Sequence, residues 1–108
     1  MAFDPHNFDD LPGAHWIREG LSDLAMRRES TAAFLVQIGS PKLNRCGVSV
    51  EVTAEDALAA DHNLYEMLAR VHGNEAHGRY NALLRELVSF ERALEQRVSK
   101  AARLVGAA

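Results

Sequence analysis

The chain has one cysteine, Cys46, in 108 residues. A lone cysteine excludes an internal disulfide and the paired spacing of zinc or redox sites, and it points to a reducing compartment. No apolar run is long enough to cross a membrane. The first residues carry Asp4, Asp9 and Asp10 rather than a basic and then apolar pattern, so no export signal is expected and the cytoplasm is the expected location. Neither sign of charge dominates: the net charge of −3 disfavours sequence-independent binding to nucleic acid. Seven glycines form no phosphate loop and no dinucleotide fingerprint. No cofactor is expected.

What is present is ordinary for a globular protein, with 47% apolar and 25% charged residues. The length fits one domain, residues 1–108, able to bury a single modest core. Residues 1–11 lack periodicity and carry Pro5, with Pro12 just beyond; they read as an extended arm that Phe3 and Phe8 pin to the body or to a neighbouring chain. Ile17, Leu21, Leu24 and Arg28 then recur at helical spacing, with Asp23 and Arg27 as a supporting pair on the wet side. Ser30 or Thr31 caps a second, nearly all-apolar helix that Gly39 is expected to stop. The stretch SPKLNRCG reads as a separate short helix, with Ser40 as cap, Pro41 at its first position and Gly47 as terminator.

The segment VSVEV, residues 48–52, alternates strictly. It predicts a strand, standing either as an extended connector or as an edge that pairs with its copy in a dimer. TAED carries an N-terminal cap at Thr53 and acidic residues in the first turn. The helix that follows is expected to reset at Asp61 and to end at Gly73 and Asn74. From about Glu75 to Leu104 there is no proline, and Gly78 is the only glycine. The fold class is therefore all-α: a small helical domain with short N-terminal helices followed by an antiparallel helical hairpin whose C-terminal arm is long.

At about 100° per residue, Tyr80, Leu83, Leu84, Leu87, Phe90, Leu94, Val98, Ala101 and Val105 share one face of that arm. A neighbouring helix of this or another chain should lie along it, so the stripe is either the core-facing side of the domain or a dimer seam. Because the earlier helices are too short to cover all of it, Leu83, Leu87, Phe90, Leu94, Val98 and Val105 are expected at a homodimer seam. Glu91 breaks the stripe. A buried carboxylate needs a cation or a proton, and Arg28 is the expected partner, with His72 another candidate.

The join between the last two helices, RVHGNEAHGRYN, concentrates polar chemistry. His72, Glu75 and His77 are metal-capable, but Gly73 and Asn74 interrupt the spacing that would aim them at one ion, and no metal is expected. The same stretch resembles the arginine-to-histidine signature of the HEPN ribonucleases and their toxin relatives. The resemblance implies metal-independent RNA cleavage by an all-α, commonly dimeric protein. Arg70 would stabilise phosphate charge, His77 would move the 2′-OH proton, and Tyr80 would lie on the next turn. That family usually has a polar residue straight after the arginine, where this chain has Val71. Read from residues alone, the stretch is a helix stop and restart, with Glu75 and Arg79 paired across one turn. FLVQIGSPKLNRCG has the helix–glycine–helix order of a DNA-binding helix-turn-helix, though its second helix is short. The primary expectation is a non-enzymatic, homo-oligomeric interaction or regulatory module. The alternative is a HEPN-like ribonuclease acting on RNA, and helix-turn-helix DNA binding is a lesser one.

Overall fold

The computed structural model describes residues 8–106, and the side chains of residues 8–104. Residues 1–7 of the expected arm, Phe3 among them, and the Val105 side chain lie outside these. The described residues form α1 (Ala14–Ala25), α2 (Thr31–Arg45), α3 (Ala54–His72), a single 3₁₀ turn (Gly73–Glu75) and α4 (Ala76–Gly106). The fold is all-α, with the long C-terminal arm that the pattern predicts.

Local signals set two of the helix starts, those of α2 and α3. Ser30 caps α2 by accepting from the Ala33 amide at 3.0 Å, and Thr53 caps α3 by accepting from the Asp56 amide at 3.0 Å. The ends follow backbone logic. Gly47, at φ +92°, closes α2: its own amide donates to the Asn44 carbonyl and the Val48 amide donates to that of Leu43. The same pattern closes α1, with the Arg27 and Arg28 amides donating to the Leu24 and Asp23 carbonyls. Here Arg27 takes the left-handed position, φ +57°, that usually falls to glycine. The helix thus ends at Ala25, and Arg28 sits exposed in the loop beyond it. Asp23 accepts from the Ser30 hydroxyl at 2.6 Å instead of pairing with Arg27.

Three sequence expectations give way to packing. Gly39 does not stop α2 and Pro41 does not start a new helix; both lie inside one continuous helix, and Ser40 is buried within it. A proline there forgoes one backbone bond and crowds the preceding turn, about 3 kcal/mol in an isolated helix. Burial of Gly39, Ser40 and Leu43 beneath α4 holds the segment helical regardless. Asp61 likewise starts nothing, because α3 runs unbroken past it.

Residues 48–52 belong to no helix and alternate in burial as the pattern predicts: Val48 and Val50 are buried while Ser49 and Glu51 are exposed. They form no strand. Their ladder is replaced by one side chain, for Asn44 accepts from the Val50 amide at 2.8 Å and donates to its carbonyl at 3.1 Å. The segment is the connector that brings α3 back along α2.

The core gathers Phe8, Ile17, Leu35, Val36, Leu43, Val48, Leu64, Phe90 and Leu94, each 1% exposed or less. The arm is not extended where it is described: the Leu11 amide donates to the Phe8 carbonyl in a tight turn. Phe8 enters the core edge-on to Phe90, with ring centroids 5.1 Å apart, and the Arg18 guanidinium lies 4.6 Å above its ring. Asp10 closes the turn onto α4 through Arg97 at 3.0 and 2.5 Å. The radius of gyration, 14.8 Å, exceeds the roughly 13 Å usual for this length, because α4 outruns its neighbours. No helix among the described residues is long and apolar enough to cross a membrane.

Candidate functional site

Arg70, near the end of α3, is exposed, and so is His77, on the first turn of α4. The His77 ring meets Asn81 at 3.1 Å and the Tyr65 ring at 6.5 Å. Tyr80 turns towards α3, where its ring lies 5.3 Å from Tyr65 and its hydroxyl donates to Asp61. That hydrogen bond to a carboxylate, with partial burial, pushes the Tyr80 hydroxyl up to about 12. A phenol so held is a structural clasp between α3 and α4 and a poor acid near neutrality. Glu75 and Arg79 form the expected pair, loosely, at 3.8 Å. No three His, Cys, Asp or Glu side chains among the described residues are placed to hold a metal ion.

Glu91 is half-buried, and its surroundings differ from the expected ones. Arg28 is exposed in the α1–α2 loop, and His72 ends α3 at the hairpin turn. The charges near Glu91 are Lys42 and Arg45, from the last turn of α2, and Glu95, one turn along α4. Lys42 bonds to Glu95 at 3.3 Å, leaving Glu91 the more distant of the two carboxylates. Burial outweighs these neighbours and raises the Glu91 carboxyl above its ordinary value. Cys46 lies beside the same group. Burial, then Glu95, raises its thiol, which disfavours the thiolate that nucleophilic work requires.

The residues assigned to an oligomer seam divide. Leu83, Leu87, Phe90 and Leu94 are buried against α2, α3 and the Phe8 turn of the same chain, and Val98 is partly covered. The four buried residues form the core of one protomer and leave no surface for a second, while Val98 keeps part of its surface open. The helix-turn-helix reading loses its geometry as well, since its two helices are one, Thr31–Arg45.

Two surface features remain. A groove of about 720 Å³ runs between the α1–α2 loop, α2 and the start of α3. Arg27 and Arg28 line it together with Glu29, Glu51 and Asp56, so its charges nearly balance and select no class of ligand. The second feature is the outer face of the α3–α4 hairpin. Leu58 on α3 is 84% exposed and Val88 on α4 is 41% exposed, with Tyr65 at 39% between the helices. Leu84 and Val88 floor a shallow depression bordered by Asn81, Arg85 and Arg92. The sequence pattern does not single out Leu58 or Val88, because neither lies on the apolar stripe of its helix. The exposure of Leu58, two residues before buried Ala60 and six before buried Leu64, becomes visible only when the path of α3 is known. No family model, curated protein or solved structure matches this chain.

Proposed function

We propose that the chain is a small, non-enzymatic cytoplasmic helical module that works by protein–protein contact through the outer face of α3 and α4. The observation that carries this reading is the exposure of Leu58 and Val88 on α3 and α4, with Tyr65, packed against Tyr80 and His77, still partly open between the two helices. A single exposed leucine is ordinary. Several apolar side chains on one face are a patch, and burying a leucine alone is worth about 1.5–3 kcal/mol. The rim is charged, with Arg85 and Arg92 on one helix and Glu55 and Glu66 on the other, as at reversible interfaces.

Cross-linking in cells that express the chain tests this. Wild type should capture a defined set of proteins, its own copies included, and a Leu58→Asp/Val88→Asp variant of unchanged circular dichroism should lose that set. An unchanged set would remove this face from the function. If the purified chain instead cleaves RNA, and Arg70→Ala and His77→Ala each abolish the cleavage, the ribonuclease reading takes its place.

A further inference from the structure

We infer that the partner for this face is a second copy of the chain, docked so that α3 of each protomer lies along α4 of the other. This rests on the interaction reading above and names its partner. On α3, Glu55, Leu58, His62 and Glu66 follow helical spacing and are all exposed. On α4, Asn81, Arg85, Val88 and Arg92 do the same, with only Asn81 partly covered. Each helix therefore presents an apolar side chain between two like charges, acidic on α3 and basic on α4. The charges are available. Arg85, Arg92 and Glu55 have no ion pair among the described residues, and Glu66 holds only His62, at 3.2 Å.

Opposite signs on two neighbouring ridges make a face complementary to itself under a twofold axis, which places each basic ridge on an acidic one. Laying α4 on its own copy would set arginines against arginines. The register supports the same arrangement. Tyr65 and Tyr80 are level across the hairpin. Counting from them along antiparallel helices of equal rise brings Leu58 level with the region of Val88, and Glu55 level with that of Arg92. A twofold axis parallel to the hairpin preserves these heights. The partner's Val88 then meets Leu58, and the partner's Arg92 meets Glu55, in a single register. α3 is about 28 Å long at 1.5 Å per residue. A face two helices wide, about 20 Å, gives roughly 1,100 Å² of total buried surface, the small end of specific interfaces. Such a dimer is reversible and weakened by salt.

Sedimentation equilibrium on the full chain between about 1 and 200 µM tests the arrangement. Wild type should pass from the monomer to twice that mass within this range, and half-molar salt should weaken the dimer at least tenfold. Leu58→Asp should remain monomeric. Glu55→Arg and Arg92→Glu should each weaken self-association about tenfold or more, and mixing the two variants should restore a dimer, because both contacts are then again of opposite sign. A wild-type chain that is monomeric throughout overturns the second copy as partner. So does a dimer indifferent to these substitutions, which would use another surface. The interaction reading itself fails separately, if cross-linked partners survive Leu58→Asp/Val88→Asp.

Discussion

The two sides of α4 are built on different terms. Towards α1 and α2 the chain closes its gaps with small residues and rings. Gly20 lets α1 press onto α2 so closely that a Cβ there would lie 2.4 Å from the Ala32 carbonyl oxygen, and Phe8 stands edge-on against Phe90. Away from them, along the outer hairpin face, long polar side chains alternate with exposed Leu58 and Val88. The first region tolerates little change because its neighbours are backbone and ring atoms that cannot yield. The second has no neighbour to offend. If the outer face is the docking surface proposed above, substitutions on one side should change stability, and on the other, association.

The most severe break of this division is expected at the Phe8 turn. Phe8→Ala removes a ring that is 1% exposed, together with its contact to Phe90 and the seat of the Arg18 guanidinium. The expected cost is about 3–5 kcal/mol, read from the midpoint of urea unfolding. Because residues 9 and 10 hold Arg18 and Arg97 through the same turn, the loss should also release those pairs. A midpoint near that of wild type would show that the turn is only laid on the surface.

The glycines grade the comparison more finely. At Gly20 the obstacles are the backbone of Ala32 and the Val36 side chain, so Gly20→Ala should cost about 1–3 kcal/mol in spite of better helix propensity. At Gly39 the obstacle is the end of the Leu87 side chain, 2.8 Å away, which can rotate, and the loss should be smaller. Gly78 has nothing within 4 Å, and Gly78→Ala should stabilise α4 by up to about 1 kcal/mol. Thermal unfolding of the three variants should rank them in this order.

What was legible in the sequence divides along the same line. The Ser30 and Thr53 caps, the Gly47 terminator and the core stripe from Leu83 to Leu94 depend on neighbours within a few residues, and each lies where the pattern placed it. Gly39 and Pro41 look like punctuation because their local chemistry says so, while the burial of Gly39 against Leu87 of α4 is a fact about a residue some fifty positions away. Helical spacing matches Glu91 to Arg28 only if α1 runs through Arg28. The left-handed turn at Arg27 ends α1 early, and the cations near Glu91 come from α2. The hairpin face was invisible for a related reason: periodicity marks what is apolar on a stripe and is silent on which helix edge the fold leaves uncovered.

Asn44 gives a smaller test, at the border of the two regions. Its side chain replaces a missing strand partner for Val50, pairing with both its part-buried amide and its carbonyl. Asn44→Ala should cost about 1–3 kcal/mol, the penalty for orphaning part-buried polar groups. Faster hydrogen exchange of the Val50 amide should accompany it. Protection unchanged from wild type would mean that water already serves that amide.

The smallest effect is expected at Glu91, and it is a matter of sign as much as size. A buried, ion-paired glutamate would make Glu91→Gln strongly destabilising. The half-buried side chain lies near Lys42 and Arg45 without bonding to either, and burial raises its carboxyl. A carboxyl raised in the folded state binds its proton more tightly there than in the unfolded chain. Its contribution therefore favours folding at pH below its unfolded value of 4.5 and is lost as pH climbs through that value to the raised one. Asp10 works in the opposite sense. Its hydrogen bond from Arg97 lowers it, so its contribution is present above an unfolded value of 3.8 and is lost as pH falls further. Glu91→Gln removes the first slope and keeps the second. At neutral pH the variant should equal wild type or exceed it by a few tenths of a kcal/mol, since the carboxylate is half in water and screened. Near pH 4 it should lose that margin. Urea midpoints of both proteins across pH 3.5–7 measure the difference directly. A variant weaker than wild type at pH 7 by a full kcal/mol or more would restore the ion-paired anchor and place Lys42 or Arg45 in contact with it.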